Sequence, residues 1–112
     1  MTHKLEKNLI QAISRALPLI YRKHGCMIWR NNTGSLTAGK RFIRFGLPGS
    51  PDFIGILSDG RFLGIEAKAA GKKQSPEQKQ FQAECEKRGA VYILAYDVQD
   101  VINILTFCRT QV

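Results

Sequence analysis

The sequence lacks the features of secreted, membrane-spanning and cysteine-rich metal proteins. It has three cysteines, an odd number, and no two of them form a Cys-x-x-Cys pair, which argues against a disulfide framework and a zinc knuckle. The N-terminal residues carry charges and no apolar secretory segment, and no apolar run is long enough to span a membrane. Internal repeats and low-complexity segments are also missing. We therefore expect a cytoplasmic protein with free, reduced thiols.

The chain is short and strongly basic. Its 112 residues are enough for one domain, so we expect a single stand-alone domain over residues 1–112. It contains 17 Lys and Arg residues and 9 Asp and Glu residues, which gives a net charge of +8. Such an excess favours a polyanionic partner, most often nucleic acid, over a charge that serves solubility alone.

Hydrophobic periodicity and turn residues divide the chain into helices and strands. Apolar residues at helical spacing predict a first helix over about residues 3–17, which Pro18 would kink or end. A helix between two β segments predicts a crossover, so we expect an α/β fold with a mixed central sheet flanked by helices. The other predicted helices cover residues 76–88 and 98–107, and the predicted strands cover residues 26–30, 40–45, 52–57, 61–66 and 90–95. Residues 31–34 are predicted to form a polar turn, with phosphate contacts through clustered main-chain amides as the alternative.

Two acidic residues lie near the ends of two predicted strands that a tight turn joins. A two-residue turn would set Asp52 opposite Ala67. A three-residue turn, with Gly60 in the left-handed conformation, would set Asp52 opposite Glu66, with Cβ atoms about 5 Å apart. We predict the three-residue turn, or a bulge near Pro51 with the same effect.

Two facing carboxylates form a site for a divalent cation. Asp52 and Glu66 would repel each other in a half-buried cleft, and their hard oxygen atoms favour Mg²⁺ or Mn²⁺. A bound cation lowers the pKa of a water molecule and neutralises charge that builds up on a phosphate. Lys68 lies on the same strand face as Glu66 and is placed to hold that water or stabilise the oxyanion. The arrangement predicts phosphodiester cleavage; an accidental pair of surface acids is the alternative.

The motifs around these residues resemble those of the virus-type replication-repair nucleases, the VRR-Nuc family of the PD-(D/E)xK nuclease superfamily. The resemblance runs from about Leu5 to Leu105 and implies a restriction-endonuclease-like core with the order α-β-β-β-α-β-α. The matching motifs are Gly46-Leu47-Pro48-Gly49-Ser50-Pro51-Asp52, Ile65-Glu66-Ala67-Lys68, Ser75-Pro76-Glu77-Gln78 and Lys87-Arg88-Gly89-Ala90.

The resemblance implies roles for individual residues. Asp52, Glu66 and the main-chain carbonyl of Ala67 match the metal ligands, and Lys68 matches the lysine of the motif. A glutamate in the first helix matches Glu6, which lies within the apolar stripe of that helix and would act on the metal directly or through a water molecule.

Gln78 matches a glutamine just inside the second helix. Its functional role would be to orient Lys68 or a substrate phosphate. The alternative is a capping box with Ser75, and the two roles would compete for one side-chain amide.

The resemblance also implies a substrate and an assembly. Family members act on branched or flapped DNA, and stand-alone members are similar to Holliday junction resolvases that work as homodimers. We expect phosphate contacts without base reading. The candidate DNA-binding residues are Arg30, Lys40, Arg41, Arg44, Lys72 and Lys73. We expect Trp29 and Phe42 to lie in the core, with a role as stacking platforms for bases as the alternative. A non-catalytic basic module that binds nucleic acid is the alternative function.

Overall fold

The computed structural model describes the backbone of residues 2–32 and 34–110, and the side chains within residues 4–32, 37–42 and 46–108. This part of the chain forms three helices and six strands. The helices are α1 (Thr2–His24), α2 (Pro76–Lys87) and α3 (Val98–Thr110), and the strands are β1 (Met27–Arg30), β2 (Gly34–Ala38), β3 (Arg41–Phe45), β4 (Phe53–Ile56), β5 (Phe62–Ala67) and β6 (Val91–Ala95). No described helix combines the length and the apolar character that a membrane span needs.

The central sheet is mixed, as the sequence predicts. Its strand order is β1-β4-β5-β6; β4 is antiparallel to both β1 and β5, whereas β6 is parallel to β5. The parallel pair requires the crossover that α2 makes between β5 and β6. The elements of this sheet and its helices follow the order α-β-β-β-α-β-α, which confirms the predicted core.

The core lies between one face of the sheet and the helices α1 and α3. Alternate residues of β5 point to this face, so Leu63 and Ile65 are fully buried, as is Ile93 on β6. They pack with Ile13 of α1 and Val101 of α3. The opposite sheet face has α2 beside it, and no residue of α2 is fully buried. This less covered face carries the polar residues of the predicted site.

Helix α1 continues seven residues beyond the predicted end and contains Pro18 in its interior. The prediction that the helix stops near residue 17 is wrong because apolar spacing continues past the proline. Ile20 is 3% exposed and belongs to the core, and this burial offsets the hydrogen bond that a proline cannot donate. The helix ends at Gly25, which has a φ of 67° and donates its N–H to the carbonyl of Tyr21 at 3.0 Å.

Strands β2 and β3 form a hairpin of their own. The sequence predicts β3 over about residues 40–45 but does not predict β2, which pairs antiparallel with β3 in a separate two-stranded sheet. The prediction of a core position for Trp29 and Phe42 is wrong. These side chains are 41% and 64% exposed, because Trp29 lies on the open face of an edge strand and Phe42 lies on the hairpin.

Candidate active site

The turn between β4 and β5 sets the two predicted carboxylates opposite each other. It has three residues, with Gly60 at a φ of 92°, and the N–H of Leu57 donates to the carbonyl of Arg61 at 2.9 Å. Continued by one residue past the last ladder pair, this register brings Asp52 opposite Glu66. The side chains therefore lie on the same face of the sheet, as the three-residue turn predicts.

The end of β1 holds the segment that carries Asp52. Arg30 donates from Nη1 to the main-chain carbonyl of Asp52 at 2.6 Å, and the same atom lies 3.9 Å from Asp52 Oδ1. The backbone N–H of Asn31 donates to that carbonyl at 2.8 Å, and its Nδ2 donates to Ser50 Oγ and to the carbonyl of Pro51, both at 2.9 Å. These bonds fix the bend that leads into β4.

The carboxylate of Asp52 is tied to the neighbouring strand and lies in a partly desolvated position. Its Oδ2 accepts a hydrogen bond of 2.8 Å from the N–H of Ala67. Burial raises the pKa of Asp52 above its ordinary value and the charge of Glu6 adds to the rise, against the opposing effects of the Ala67 N–H and Arg30.

Glu66 is 2% exposed and is the most deeply buried acid of the site. Its Oε1 accepts a hydrogen bond of 3.3 Å from the hydroxyl of Tyr92 on β6, and its Oε2 lies 3.5 Å from Lys68 Nζ. Burial raises the pKa of Glu66 to about 7, and the charge of Asp52 contributes to the increase. A buried carboxylate with a second carboxylate beside it needs a positive charge nearby, and Lys68 supplies part of it.

Gln78 joins Lys68 to the start of α2. Its Oε1 accepts a hydrogen bond of 2.8 Å from Lys68 Nζ and another of 2.8 Å from the N–H of Ser75. The N–H of Gln78 in turn donates to Ser75 Oγ at 3.2 Å, which completes the capping box. The two roles weighed for Gln78 therefore do not compete, since one oxygen with two lone pairs serves both.

Glu6 reaches the site from α1. Its Oε1 accepts a hydrogen bond of 3.2 Å from the N–H of Ala69, directly after Lys68 in the chain. Glu6 thus faces the end of β5 rather than solvent. The inward orientation places a third acidic side chain close enough for its charge to act on Asp52.

Asp52, Glu66 and Gln78 border a polar cavity of about 360 Å³ between the sheet and the start of α2. Gly49, with a φ of 80°, forms part of its wall; a Cβ atom there would lie 2.4 Å from the carbonyl oxygen of Glu77, so the wall approaches α2 as closely as a glycine allows. The polar lining residues are Ser50, Asp52, Glu66, Ser75, Glu77 and Gln78.

Comparison with known proteins identifies the fold. No protein-family model and no curated protein matches the chain. A solved structure described as a "VRR_NUC domain" superposes on 84% of this chain and 90% of its own, with a TM-score of 0.55 and 20% sequence identity. The chain has the VRR-Nuc fold. Its mixed sheet agrees with the restriction-endonuclease-like fold expected from the motifs.

The residues that line the cavity fit a small divalent cation. Asp52 and Glu66 offer hard carboxylate oxygens from facing strands. Their raised pKa values result first from burial and then from neighbouring carboxylates, and both effects would be offset by a bound cation. Among the side chains that the structure describes, no three from His, Cys, Asp or Glu converge as a metal site. The ligand set would therefore combine the two carboxylates with main-chain oxygen and water, as Mg²⁺ readily accepts.

The candidate DNA-binding residues fall into different environments of the VRR-Nuc fold. Arg30 points at Asp52 and stacks over the ring of Phe53 at 5.7 Å, so it belongs to the framework of the site. The other described members are exposed: Lys40 and Arg41 at the turn of the β2–β3 hairpin, Lys72 and Lys73 in the loop after β5. The side chain of Arg44 lies outside the described residues.

Sequence reasoning missed three residues of the site. Tyr92 lies in a buried apolar strand, and a tyrosine hydroxyl there requires a polar partner; this signal was available. Asn31 was interpreted as part of a polar turn, although its amide holds the Asp52 segment. Glu77 gave no signal beyond its place in the first turn of α2, because its role as a wall of the cavity depends on how closely α2 approaches Gly49.

Proposed function

We propose that the protein is a nuclease of the VRR-Nuc family that uses Mg²⁺ or Mn²⁺ to hydrolyse phosphodiester bonds in DNA. The observation that carries the proposal is the convergence of Asp52 and Glu66 on one face of the sheet, with Lys68 beside Glu66 and a polar cavity in front. Facing carboxylates next to an amine suit phosphate chemistry better than they suit passive binding of a polyanion, which needs no buried acids.

Each residue has a part in the proposed reaction. Asp52 and Glu66 would hold the cation, with the main-chain carbonyl of Ala67 and, through water, Glu6. The bound cation would supply Lewis-acid stabilisation of negative charge on the phosphate. Lys68, held by Gln78 at 2.8 Å, would orient the attacking water and stabilise the developing oxyanion with its ammonium charge.

Branched DNA is the proposed substrate, such as a Holliday junction or a flapped intermediate of replication and repair. The net charge of +8 supports a polyanionic substrate. The proposed phosphate contacts are made by Lys40, Arg41, Arg44, Lys72 and Lys73, whereas Arg30 is better suited to positioning Asp52.

A homodimer is the proposed assembly, and the open face of the sheet supports it. Met27, Ile56 and Phe62 form a row across three strands, with exposures of 52%, 43% and 38%, and Trp29 adjoins the row. An apolar groove of about 900 Å³ between this region and α2 extends the surface. Contiguous exposed apolar residues of this kind mark contacts between proteins. A two-fold dimer would present two sites to a branched substrate.

A cleavage panel tests the function. Labelled four-way junctions, flaps and linear duplexes are incubated with the protein and Mg²⁺, Mn²⁺ or EDTA. We expect cleavage of branched DNA with either cation, none in EDTA, and loss of at least 100-fold in rate in Asp52→Asn with unchanged folding. Glu86→Gln, an exposed acid-to-amide change on α2, is the matched control and should cut normally.

Two outcomes would contradict the proposal. Metal-dependent cutting by purified Asp52→Asn at the normal rate would refute the assignment of Asp52 as a metal ligand. Salt-sensitive DNA binding without cleavage under any metal condition would instead identify a non-catalytic nucleic-acid-binding module.

A further inference from the structure

The β2–β3 hairpin stands apart from the main sheet but begins and ends at the candidate site. It pairs with no strand of that sheet within the described residues, and the protein measures 51 Å along its longest axis against 29 and 25 Å along the others. The chain enters the hairpin after Arg30 and Asn31, which hold the Asp52 segment. It leaves through Pro48–Ser50, which line the cavity. Both ends of the hairpin are thus at the cavity rim.

The positive charge of the protein is concentrated in the half of the sequence that contains this hairpin. Residues 7–51 hold eight Lys and Arg residues and no Asp or Glu, whereas residues 52–112 hold eight basic and eight acidic residues, and Lys4 offsets Glu6. The whole net charge of +8 therefore arises from residues 7–51. Lys40 and Arg41 are exposed at the hairpin turn, far in sequence from any acid. This charge favours a polyanion over a protein as the partner of the hairpin.

Phe42 adds an aromatic ring to the same exposed end. It follows Arg41 directly, pairs with Thr37 across the hairpin and is 64% exposed. Cationic side chains next to an exposed aromatic ring are typical of surfaces that hold phosphates and stack on nucleic-acid bases. A two-stranded β-ribbon also has the width to enter the major groove of B-DNA.

We propose that the β2–β3 hairpin is a DNA-binding arm that selects branched substrates. Lys40 and Arg41 contact phosphates of the duplex next to the cleaved strand, and Phe42 stacks on a base exposed where the duplex branches. This rests on the proposed function, because it takes DNA as the ligand. In this proposal the hairpin recognises the branched DNA, and the residues of the cavity act only on the phosphate that is cleaved.

The phosphate contacts are tested by binding in EDTA, so that cleavage does not interfere. Fluorescence anisotropy gives the Kd of a four-way junction and of a linear duplex at several salt concentrations. We expect Lys40→Gln/Arg41→Gln to reduce the slope of log K against log salt by about 1.8, since each phosphate contact contributes about 0.9. Lys79→Gln/Lys87→Gln removes the same charge from exposed positions on α2 and should leave the slope unchanged.

The stacking contact is tested in the same assay with Phe42→Ala and Phe42→Leu. We expect both variants to lose about 5- to 150-fold in affinity for the junction, with little change for the duplex and no change in salt slope, because stacking is worth about 1–3 kcal/mol per base. Phe42→Leu keeps an apolar side chain, so a loss in both variants points to the ring itself. Circular dichroism and thermal unfolding verify that the variants fold.

These experiments test the DNA-binding role of the hairpin separately from the nuclease activity. An unchanged salt slope in Lys40→Gln/Arg41→Gln, or an unchanged junction preference in Phe42→Ala, overturns the role of the hairpin even if the wild type cleaves DNA. If the wild type binds junctions but never cleaves them, the proposed nuclease activity is refuted, and the binding data still test the role of the hairpin. A wild type that binds no DNA overturns both proposals.

Discussion

At the scale of single residues, the site depends on a one-residue choice of register. Gly60 in the left-handed conformation makes the turn three residues long, and this sets Asp52 opposite Glu66. That outcome was predictable, since the turn residues and the alternation of the strands restrict the choice to two. A polar partner for the Tyr92 hydroxyl was predictable from its place in a buried strand, but its identity as Glu66 was not. The support from Asn31 was not predictable, because its contacts with Ser50 and Pro51 form only in the folded chain.

The raised pKa of Glu66 predicts an acid-stabilised protein when no metal is present. Its pKa is about 7 in the folded protein against an ordinary 4.5, so the folded state binds more protons than the unfolded state between these values. The contribution of Glu66 to the free energy of unfolding is fully present below about pH 4.5 and is lost as the pH rises through 7, a decrease of about 3 kcal/mol at most. Urea unfolding in EDTA from pH 4 to 8 measures this decrease.

Glu66→Gln should flatten this pH dependence, whereas Glu86→Gln should retain it. Added Mg²⁺ should restore stability at pH 7 and above, because it binds the folded, ionised site. If the free energy of unfolding changes with pH equally in Glu66→Gln and in the wild type, groups other than Glu66 cause the pH dependence.

The hydroxyl of Tyr92 should matter for metal binding and not for folding. Tyr92→Phe keeps the ring in the sheet but removes the hydrogen bond to Glu66 Oε1, which helps to lower the pKa of Glu66. We expect roughly a 10-fold weaker affinity for Mg²⁺, as is usual when a support of a metal ligand is lost. Isothermal titration calorimetry measures the affinity, with Tyr96→Phe, an exposed tyrosine of the next segment, as the control.

At the scale of secondary-structure elements, ends marked by capping residues were predictable, whereas ends and strands that depend on tertiary contacts were not. Helix α2 begins and ends as predicted because Ser75, Pro76 and Gly89 each supply a local signal. Strand β2 was missed, since its residues resemble a polar loop and only pairing with β3 makes them a strand. The local signal at Pro18 was misleading for the same reason, because burial of Ile20 in the core overrides it.

Replacing the proline inside α1 should stabilise the protein. Pro18 is exposed and has no N–H to donate to the carbonyl of the preceding turn. Pro18→Ala should raise the free energy of unfolding by about 1–3 kcal/mol, since alanine restores the hydrogen bond and the helix propensity. Thermal unfolding measures the gain, and Gln11→Ala at another exposed position of α1 should change little. A loss of stability would mean that α1 requires the geometry of the proline.

At the scale of the whole molecule, the net charge was predictable from the sequence and the open apolar face was not. The basic excess of residues 7–51 follows directly from the sequence. The open apolar face does not follow from the sequence. Alternating strands predict that one face of the sheet is buried, but they do not indicate which part of the other face α2 leaves uncovered. For this reason Trp29 was expected in the core and was found on the surface.

The proposed dimer predicts a fluorescence change with concentration. Trp29 is the single tryptophan of the chain and adjoins the open apolar face, so its emission should shift to shorter wavelength as the dimer forms. Ile56→Lys should keep the protein monomeric in sedimentation velocity and abolish the shift. Leu19→Lys places the same charge at an exposed apolar position of α1 and should dimerise normally. Dimerisation of Ile56→Lys would assign the interface to another surface.

The oxygen of Gln78 that accepts hydrogen bonds from both Ser75 and Lys68 links the first turn of α2 to the candidate active site. Because one atom makes both hydrogen bonds, a substitution that loosens the first turn of α2 also frees the ammonium group of Lys68. Variants with substitutions at residues 74–78 should therefore lose catalytic turnover and melting temperature together. Variants that regain only one of these two properties should be rare.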